Sequence, residues 1–248
     1  MSSAYLLLSH GSRDPRPEIA MEQLARLVCH KLPKNHNPVN NEHLVGIAAL
    51  EMSPQPLHEQ IQQFAKRAFG DGKISQNEKR LKIVPLFLLP GVHVMTDIPA
   101  EVALAQQATG EDIMIELQPY LGSHPHLEKL LAKQIAAITA EAWILLAHGS
   151  RRPGSQETVE AMAASLGAMA AYWAGPPSLE SRVKELVTAG YREIAILPYF
   201  LFAGGITDAI AASIEELKLQ FSVVNFQLAQ PLGASAELAE LIWDLIDK

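Results

Sequence analysis

Apolar runs of strand length fall at 4–9, 44–50, 81–88 and 112–117, and between them apolar positions recur at three- and four-residue spacing over 16–32, 55–69, 97–109 and 125–140. This pattern predicts four strands, each followed by a helix. The run from Leu81 to Leu88 is apolar nearly throughout, as a parallel strand covered on both faces requires. The alternation then starts again, with strands expected at 143–147, 168–173, 193–200 and 222–228, helices between them and a final helix over 234–246. Strand–helix alternation with short connections predicts an α/β fold with a doubly wound parallel sheet. Two stretches break the pattern and are expected to be mobile: Pro33–Glu42, rich in Asn and Pro, and the polar, Gly-containing Asp71–Lys79.

The second set of elements is a copy of the first. Tyr5-Leu-Leu-Leu-Ser-His10-Gly-Ser-Arg13 returns 138 residues later as Trp143-Ile-Leu-Leu-Ala-His148-Gly-Ser-Arg151. Ser53-Pro-Gln-Pro-Leu57 resembles Gly175-Pro-Pro-Ser-Leu179, Ile83-Val-Pro-Leu-Phe-Leu88 resembles Ile196-Leu-Pro-Tyr-Phe-Leu201, and Tyr120-Leu-Gly122 resembles Pro231-Leu-Gly233. Four blocks in one order, at a slowly shrinking offset, identify two homologous halves of which the second is shorter. The expected organisation is therefore two tandem flavodoxin-like domains, 1–140 and 141–248, facing each other across a central cleft.

Composition narrows the classes of function. With 48% hydrophobic and 19% charged residues, the 248-residue chain can bury a substantial core, which excludes disorder. A net charge of −7 argues against a general nucleic-acid binder, which needs a basic surface to displace counterions. A single cysteine, Cys29, excludes an internal disulfide and any four-cysteine metal site, and its apolar helical setting reads as an inert core thiol. The first apolar run is too short for a signal sequence and no run approaches membrane-spanning length, so a cytoplasmic protein without a membrane partner is expected.

In open parallel α/β sheets, ligands collect at the carboxyl ends of the strands. His10 follows the first strand, Glu51 ends the second, and His93 follows the third in Pro90-Gly-Val-His93-Val. If the first strand lies between the second and third, the three side chains converge. Two imidazoles and a carboxylate suit Fe2+, Co2+, Ni2+ or Zn2+ better than Mg2+ or Ca2+. Taken singly, each residue has a plainer role: a helix-capping imidazole for His10, a helix-start carboxylate for Glu51, and a buried structural imidazole for His93. His30, His36, His43, His58 and His126 read as surface or loop residues, whereas His124, after the fourth strand, can reach the cleft rim.

The motifs His-Gly-Ser-Arg after strand one, Ala49-Leu-Glu-Met-Ser-Pro54 around strand two and Pro85-Leu-Phe-Leu-Leu-Pro-Gly-Val-His-Val-Met-Thr-Asp-Ile-Pro99 after strand three resemble the class II chelatases, most closely the two-domain sirohydrochlorin chelatases. The resemblance covers nearly the whole chain. It implies a lyase that places a divalent metal, Fe2+ or Co2+, into a tetrapyrrole of sirohaem or cobalamin biosynthesis, the ion being a substrate and no organic cofactor being needed. It also implies that His10, Glu51 and His93 hold the metal and form the catalytic set. The second copy has decayed: His148 persists, Trp173 is aligned with Glu51, and Gly204-Gly-Ile-Thr-Asp208 holds no histidine where His93 would fall.

An octacarboxylate tetrapyrrole needs cationic and backbone donors. Ser12, Arg13, His148, Ser150, Arg151 and Arg152, all at or just after a strand tip, are the expected substrate contacts. For the arginines a solvated helix start is an equal alternative, and Trp173 either stacks on the ring or packs at its strand end. The fused repeat removes the need for a dimer, so a monomer is expected. The chain ends at Lys248 without the histidine-rich or cysteine-containing extension of some long cobalt-inserting relatives, which tilts the expectation towards iron. A histidine-phosphatase reading of His-Gly-x-Arg wants an arginine just before the histidine, where Ser9 and Ala147 stand. A non-catalytic carrier of metal or tetrapyrrole on the same fold stays open.

Overall fold

The computed structural model describes residues 2–32, 44–70, 79–149 and 154–247. The first half contains β1 (Ser2–Ser9), α1 (Pro15–Cys29), β2 (Val45–Ala49), α2 (Leu57–Phe69), β3 (Lys79–Pro85), α3 (Ile98–Thr109), β4 (Ile113–Leu117) and α4 (Leu127–Ala136). The second contains β5 (Ala142–Ala147), α5 (Ser155–Ser165), β6 (Met169–Tyr172), α6 (Leu179–Thr188), β7 (Glu193–Pro198), α7 (Gly205–Gln220), β8 (Asn225–Leu228) and α8 (Ala236–Ile246). The expected mobile stretch 33–42 lies outside the described residues, as does 71–78, while Lys79 is already the first residue of β3.

Both sheets are parallel, with orders β2-β1-β3-β4 and β6-β5-β7-β8. The leading strand of each half is therefore internal, flanked on both sides. Leu7 pairs with Ile47 and with Val84, and Leu145 pairs with Ala170 and with Leu197. Leu6, Leu7 and Leu8 are wholly buried, which explains why β1 reads as an unbroken apolar run rather than an alternating one. In α2, Leu57, Ile61, Phe64, Ala65 and Ala68 form one apolar stripe at helical spacing and pack into the first core with Leu6, Leu8, Leu81 and Ile83. The second core repeats this with Val183, Leu186, Ile194, Ile196, Ile210 and Ile214.

The outer edges of the first sheet are closed by glutamines. Ala49 N donates to Gln60 Oε1 at 3.1 Å and Gln60 Nε2 donates back to Ala49 O at 2.8 Å. On the far edge, Ile115 N donates to Gln106 Oε1 at 2.8 Å and Gln106 Nε2 donates to Ile113 O at 3.0 Å. A primary amide presents the same donor and acceptor as a peptide, so each glutamine satisfies backbone groups that an edge strand otherwise exposes.

Packing and sequence divide the chain differently. The sequence repeat turns over near residue 140, but the compact units are Met1–His124 with Ala234–Lys248, and Pro125–Gly233. The last helix of each half is thus assigned to the unit of the other half: α8 belongs with the first sheet and α4 with the second. Amphipathic patterning explains the α8 assignment. The helix starts where Ser235 Oγ accepts from Leu238 N at 3.1 Å, and it buries Leu238, Ala239, Leu241, Ile242, Leu245 and Ile246. Trp243 lies against Tyr5 with ring centroids 6.1 Å apart, and Lys82 Nζ donates to Ile246 O at 2.5 Å. His124 is enclosed here rather than at a rim: it is 5% exposed, with Nε2 3.6 Å from an Asp244 carboxylate oxygen. Among the described residues no helix is long and apolar enough to cross a membrane.

Ile242→Ala leaves a void under α8 and is expected to lower unfolding stability by about 2–5 kcal/mol in urea titration. Leu219→Ala, at a position 85% exposed, is expected to change it by less than about 0.5 kcal/mol.

Candidate metal centre

The register of the first sheet continues past the ends of its strands. Leu50 N donates to Ser9 O and Glu51 N to His10 O, both at 2.9 Å, and Leu86 N donates to Leu8 O at 2.7 Å. These bonds hold the tips of β1, β2 and β3 at one level. The chain turns sharply after His10 because Gly11 adopts φ 95°, and a Cβ there would lie 2.0 Å from Glu51 O. Glycine is the residue that permits both the left-handed turn and this close approach. Met52, immediately after Glu51, is a non-glycine residue at φ 59°, so the other flank of the carboxylate is also a turn under strain.

His93 reaches the same level by another device. Gly122 N donates to Phe87 O at 2.8 Å, and a Cβ on Gly122 would sit 1.9 Å from Leu88 O, so the turn at Leu121–Ser123 buttresses the segment leading from β3. His93–Asp97 then form one π-helical turn that runs into α3, with Ile98 N donating to His93 O. Pro99 lacks an N–H, so a carbonyl of the preceding turn has no helical donor and the wider turn is accommodated there. Within it, His93 Nδ1 donates to Asp97 Oδ2 at 2.7 Å. A carboxylate only accepts, so in the neutral ring the proton sits on Nδ1 and the lone pair on Nε2.

His10, Glu51 and His93 each present one ligand atom, all within 4.8 Å of one another. His10 Nε2 lies 3.8 Å from Glu51 Oε2, and the two imidazole rings meet edge to face with centroids 4.9 Å apart. Phe87 stands 6.3 Å from the His10 ring and 6.4 Å from the His93 ring. Ligand atoms arranged tetrahedrally about one ion at ~2.1 Å are about 3.4 Å apart, so modest side-chain rotations close the set on a metal. The side chains are 49%, 44% and 35% exposed for His10, Glu51 and His93, which leaves an open coordination face.

The other expected site residues divide in several ways. Ser12 Oγ accepts from Asp14 N at 3.0 Å, which leaves its hydroxyl proton available, and Arg13 is exposed in the same turn. Arg16 closes the start of α1: its guanidinium and backbone N–H hold the Asp14 carboxyl down at about 2. Ser150, Arg151 and Arg152 lie outside the described residues. His148 is exposed after β5, followed by Gly149 at φ 92°, the counterpart of Gly11. His58, expected on the surface, is half-buried and bonded to Glu101.

The second half requires one correction. Ala174 N, not Trp173 N, donates to His148 O at 2.9 Å, while Trp173 N donates to Ala147 O. Ala174 is therefore the counterpart of Glu51, and Trp173, counterpart of Leu50, packs against the second core. The sequence alignment slipped because five residues separate Glu51 from Leu57 but only four separate Ala174 from Leu179. No histidine answers His93: α7 starts directly at Gly205, capped by Gly204 N donating to Thr207 Oγ1 at 2.8 Å. Among the described residues, His10, Glu51 and His93 are the one group of three or more such side chains placed to share an ion. Sequence reasoning missed Asp97, although its spacing of four from His93 was a readable signal.

Residues 4–138 and 142–248 each match the family model described as CbiX. The chain is similar to a sirohydrochlorin ferrochelatase of Priestia megaterium, 25% identical over 182 residues that cover 68% of this chain and 67% of the relative. It is also similar to a sirohydrochlorin cobaltochelatase of the same organism, 22% identical over 188 residues covering 69% of this chain and 61%, less than two thirds, of that relative. Among solved structures, SirB from Bacillus subtilis with Fe3+ superposes with a TM-score of 0.74 at 20% identity, covering 100% of this chain and 95% of SirB.

Asp97→Asn removes the carboxylate that orients the His93 ring. It is expected to weaken Co2+ binding by about 10-fold in an anaerobic titration, with the far-ultraviolet circular dichroism unchanged.

Proposed function

The chain belongs to the CbiX family, and from that premise we propose that it is a sirohydrochlorin chelatase, a lyase that inserts a divalent ion into a tetrapyrrole. The observation that carries the proposal is the meeting of His10, Glu51 and His93 at the carboxyl edge of three adjacent strands, with one face open. Fe2+ is the ion we favour, and relatives named for iron and for cobalt insertion match the chain at similar identity. The same ligand set accepts Co2+, so insertion of cobalt is the second reading.

Insertion exchanges M2+ for two pyrrole protons, which must leave the ring as the ion enters. His10 and His93 present the ion as neutral imidazoles and Glu51 offsets one of its two charges, so the bound ion keeps a net positive charge towards the ring nitrogens. An imidazole cannot bind a metal and accept a proton at once. As the ion passes to the ring each imidazole regains its lone pair, and it then takes a pyrrole proton. Release of these protons to water resets the site. Phe87 stands beside both imidazoles as an apolar neighbour.

Ser12 and Arg13, with His148, Ser150, Arg151 and Arg152 of the second copy, are proposed to bind the peripheral carboxylates of the macrocycle. We place the reaction in the cytoplasm, with the tetrapyrrole and the ion as partners and the fused chain acting as a monomer.

Anaerobic absorbance spectroscopy of sirohydrochlorin with Fe2+ or Co2+ tests the proposal. His10→Ala and His93→Ala are each expected to slow insertion by about 100-fold or more, a loss within the range of a positioned acid–base group. Tight binding of ion or ring with no turnover above the spontaneous rate contradicts an enzyme and identifies a carrier.

A further inference from the structure

We infer that Gln60, His58 and Glu101 form a clamp that sets the separation of Glu51 from His93 and so tunes the affinity of the centre for its ion. The inference rests on the chelatase reading of that centre.

Glu51 and His93 lie on different segments, yet both belong to one ligand set. The first turn of α2 joins them. On one side, Gln60 holds the segment that carries Glu51: its amide brackets Ala49 through both N and O, and Nε2 also donates to Gln55 O at 2.9 Å. Ala49 and Gln55 stand two residues before and four after Glu51, so both ends of the loop that presents the carboxylate are tied to α2.

On the other side, His58 holds the segment that carries His93. Glu101 Oε2 accepts from His58 N at 2.8 Å and from His58 Nδ1 at 2.8 Å. Glu101 lies in the first turn of α3, four residues beyond Asp97 on the same helical run as His93. That run is continuous, because Ile98 N donates to His93 O across the junction. A movement of α3 away from α2 therefore moves His93 away from Glu51 and breaks two hydrogen bonds to one carboxylate oxygen. Two donors on one oxygen, in a pair about a quarter exposed, make a directional link rather than a solvated surface ion pair.

This arrangement makes Glu101 a positioning residue. It does not contact the ion, and its effect reaches the ion through His93. Outer partners of metal ligands act in this way, and their loss typically weakens metal binding by about 10–100-fold.

The experiment uses the full chain in anaerobic Co2+ titrations, read by the visible absorption of the bound ion, alongside thermal melting of the metal-free protein. Glu101→Ala is expected to weaken Co2+ by about 10-fold and to shift the visible band. Glu101→Gln, whose amide oxygen still accepts both donors, is expected to stay within about threefold of the unaltered chain. His58→Ala keeps the backbone bond and is expected to fall between them, which supplies the test if Glu101→Ala does not fold. Unaltered Co2+ affinity and band in Glu101→Ala, or in His58→Ala where the former is insoluble, overturns the clamp. So does a loss that merely parallels a lowered melting temperature with the band unmoved. Insertion into sirohydrochlorin by the unaltered chain is measured separately. Its absence with intact Co2+ binding overturns the chelatase reading, while the titrations still decide the clamp.

Discussion

The candidate centre depends on the parallel register of three adjacent strands. With β1 between β2 and β3, and backbone bonds continuing from Ser9 and His10 to Leu50 and Glu51, the tips of the strands are fixed at one height. Parallel strands all end at the same edge, so residues far apart in sequence, at 10, 51 and 93, arrive together without any direct bond being needed to bring them there. Leu6, Leu7 and Leu8, buried on both faces of the sheet, hold β1 between its two neighbours, so the strand that leads to His10 is fixed by the core. Core packing and site geometry are in this sense one constraint.

The two copies show what happens when the fold is kept and the ligands are not. β5 is internal in its sheet like β1, His148 follows it like His10, and Gly149 turns the chain at φ 92° as Gly11 does at φ 95°. The backbone bond from Glu51 to His10 recurs from Ala174 to His148. The differences are an alanine where the carboxylate stands, and a helix beginning at Gly205 where the first copy inserts a π-helical turn bearing His93 and Asp97. The loop after β2 is also one residue longer than its counterpart, and it contains Met52 at positive φ beside Glu51. Among the described residues, the one non-glycine residue at positive φ and the π-helical turn both lie in the copy that retains the ligands, the usual location for such features.

Much of this was readable from the chain. Strong periodicity placed the strands and helices of both halves within a few residues, since buried parallel strands and amphipathic helices write their spacing directly into sequence. The meeting of His10 with Glu51 was readable because strand tips are predictable once strands are, whereas His93 stands beyond the end of β3 on the turn into α3. Three things were not readable, each for a physical reason. The slip that set Trp173 against Glu51 came from a one-residue difference in loop length, which only backbone bonding resolves. The packing of α8 with the first unit, which encloses His124 beside Asp244, depends on which apolar face a helix meets, and its own sequence does not state that. The π-helical turn is a local departure of one residue from helical period, below the resolution of hydrophobic patterning.

The most direct test of the account is X-ray absorption spectroscopy of the full chain loaded with one equivalent of Co2+ and no tetrapyrrole, compared with the His10→Ala/His93→Ala double variant. The account predicts multiple-scattering features of two imidazoles with nitrogen at ~2.0–2.1 Å in the unaltered chain, and their loss in the double variant. An imidazole signature that survives in the double variant, or an all-oxygen shell in the unaltered chain, would contradict it.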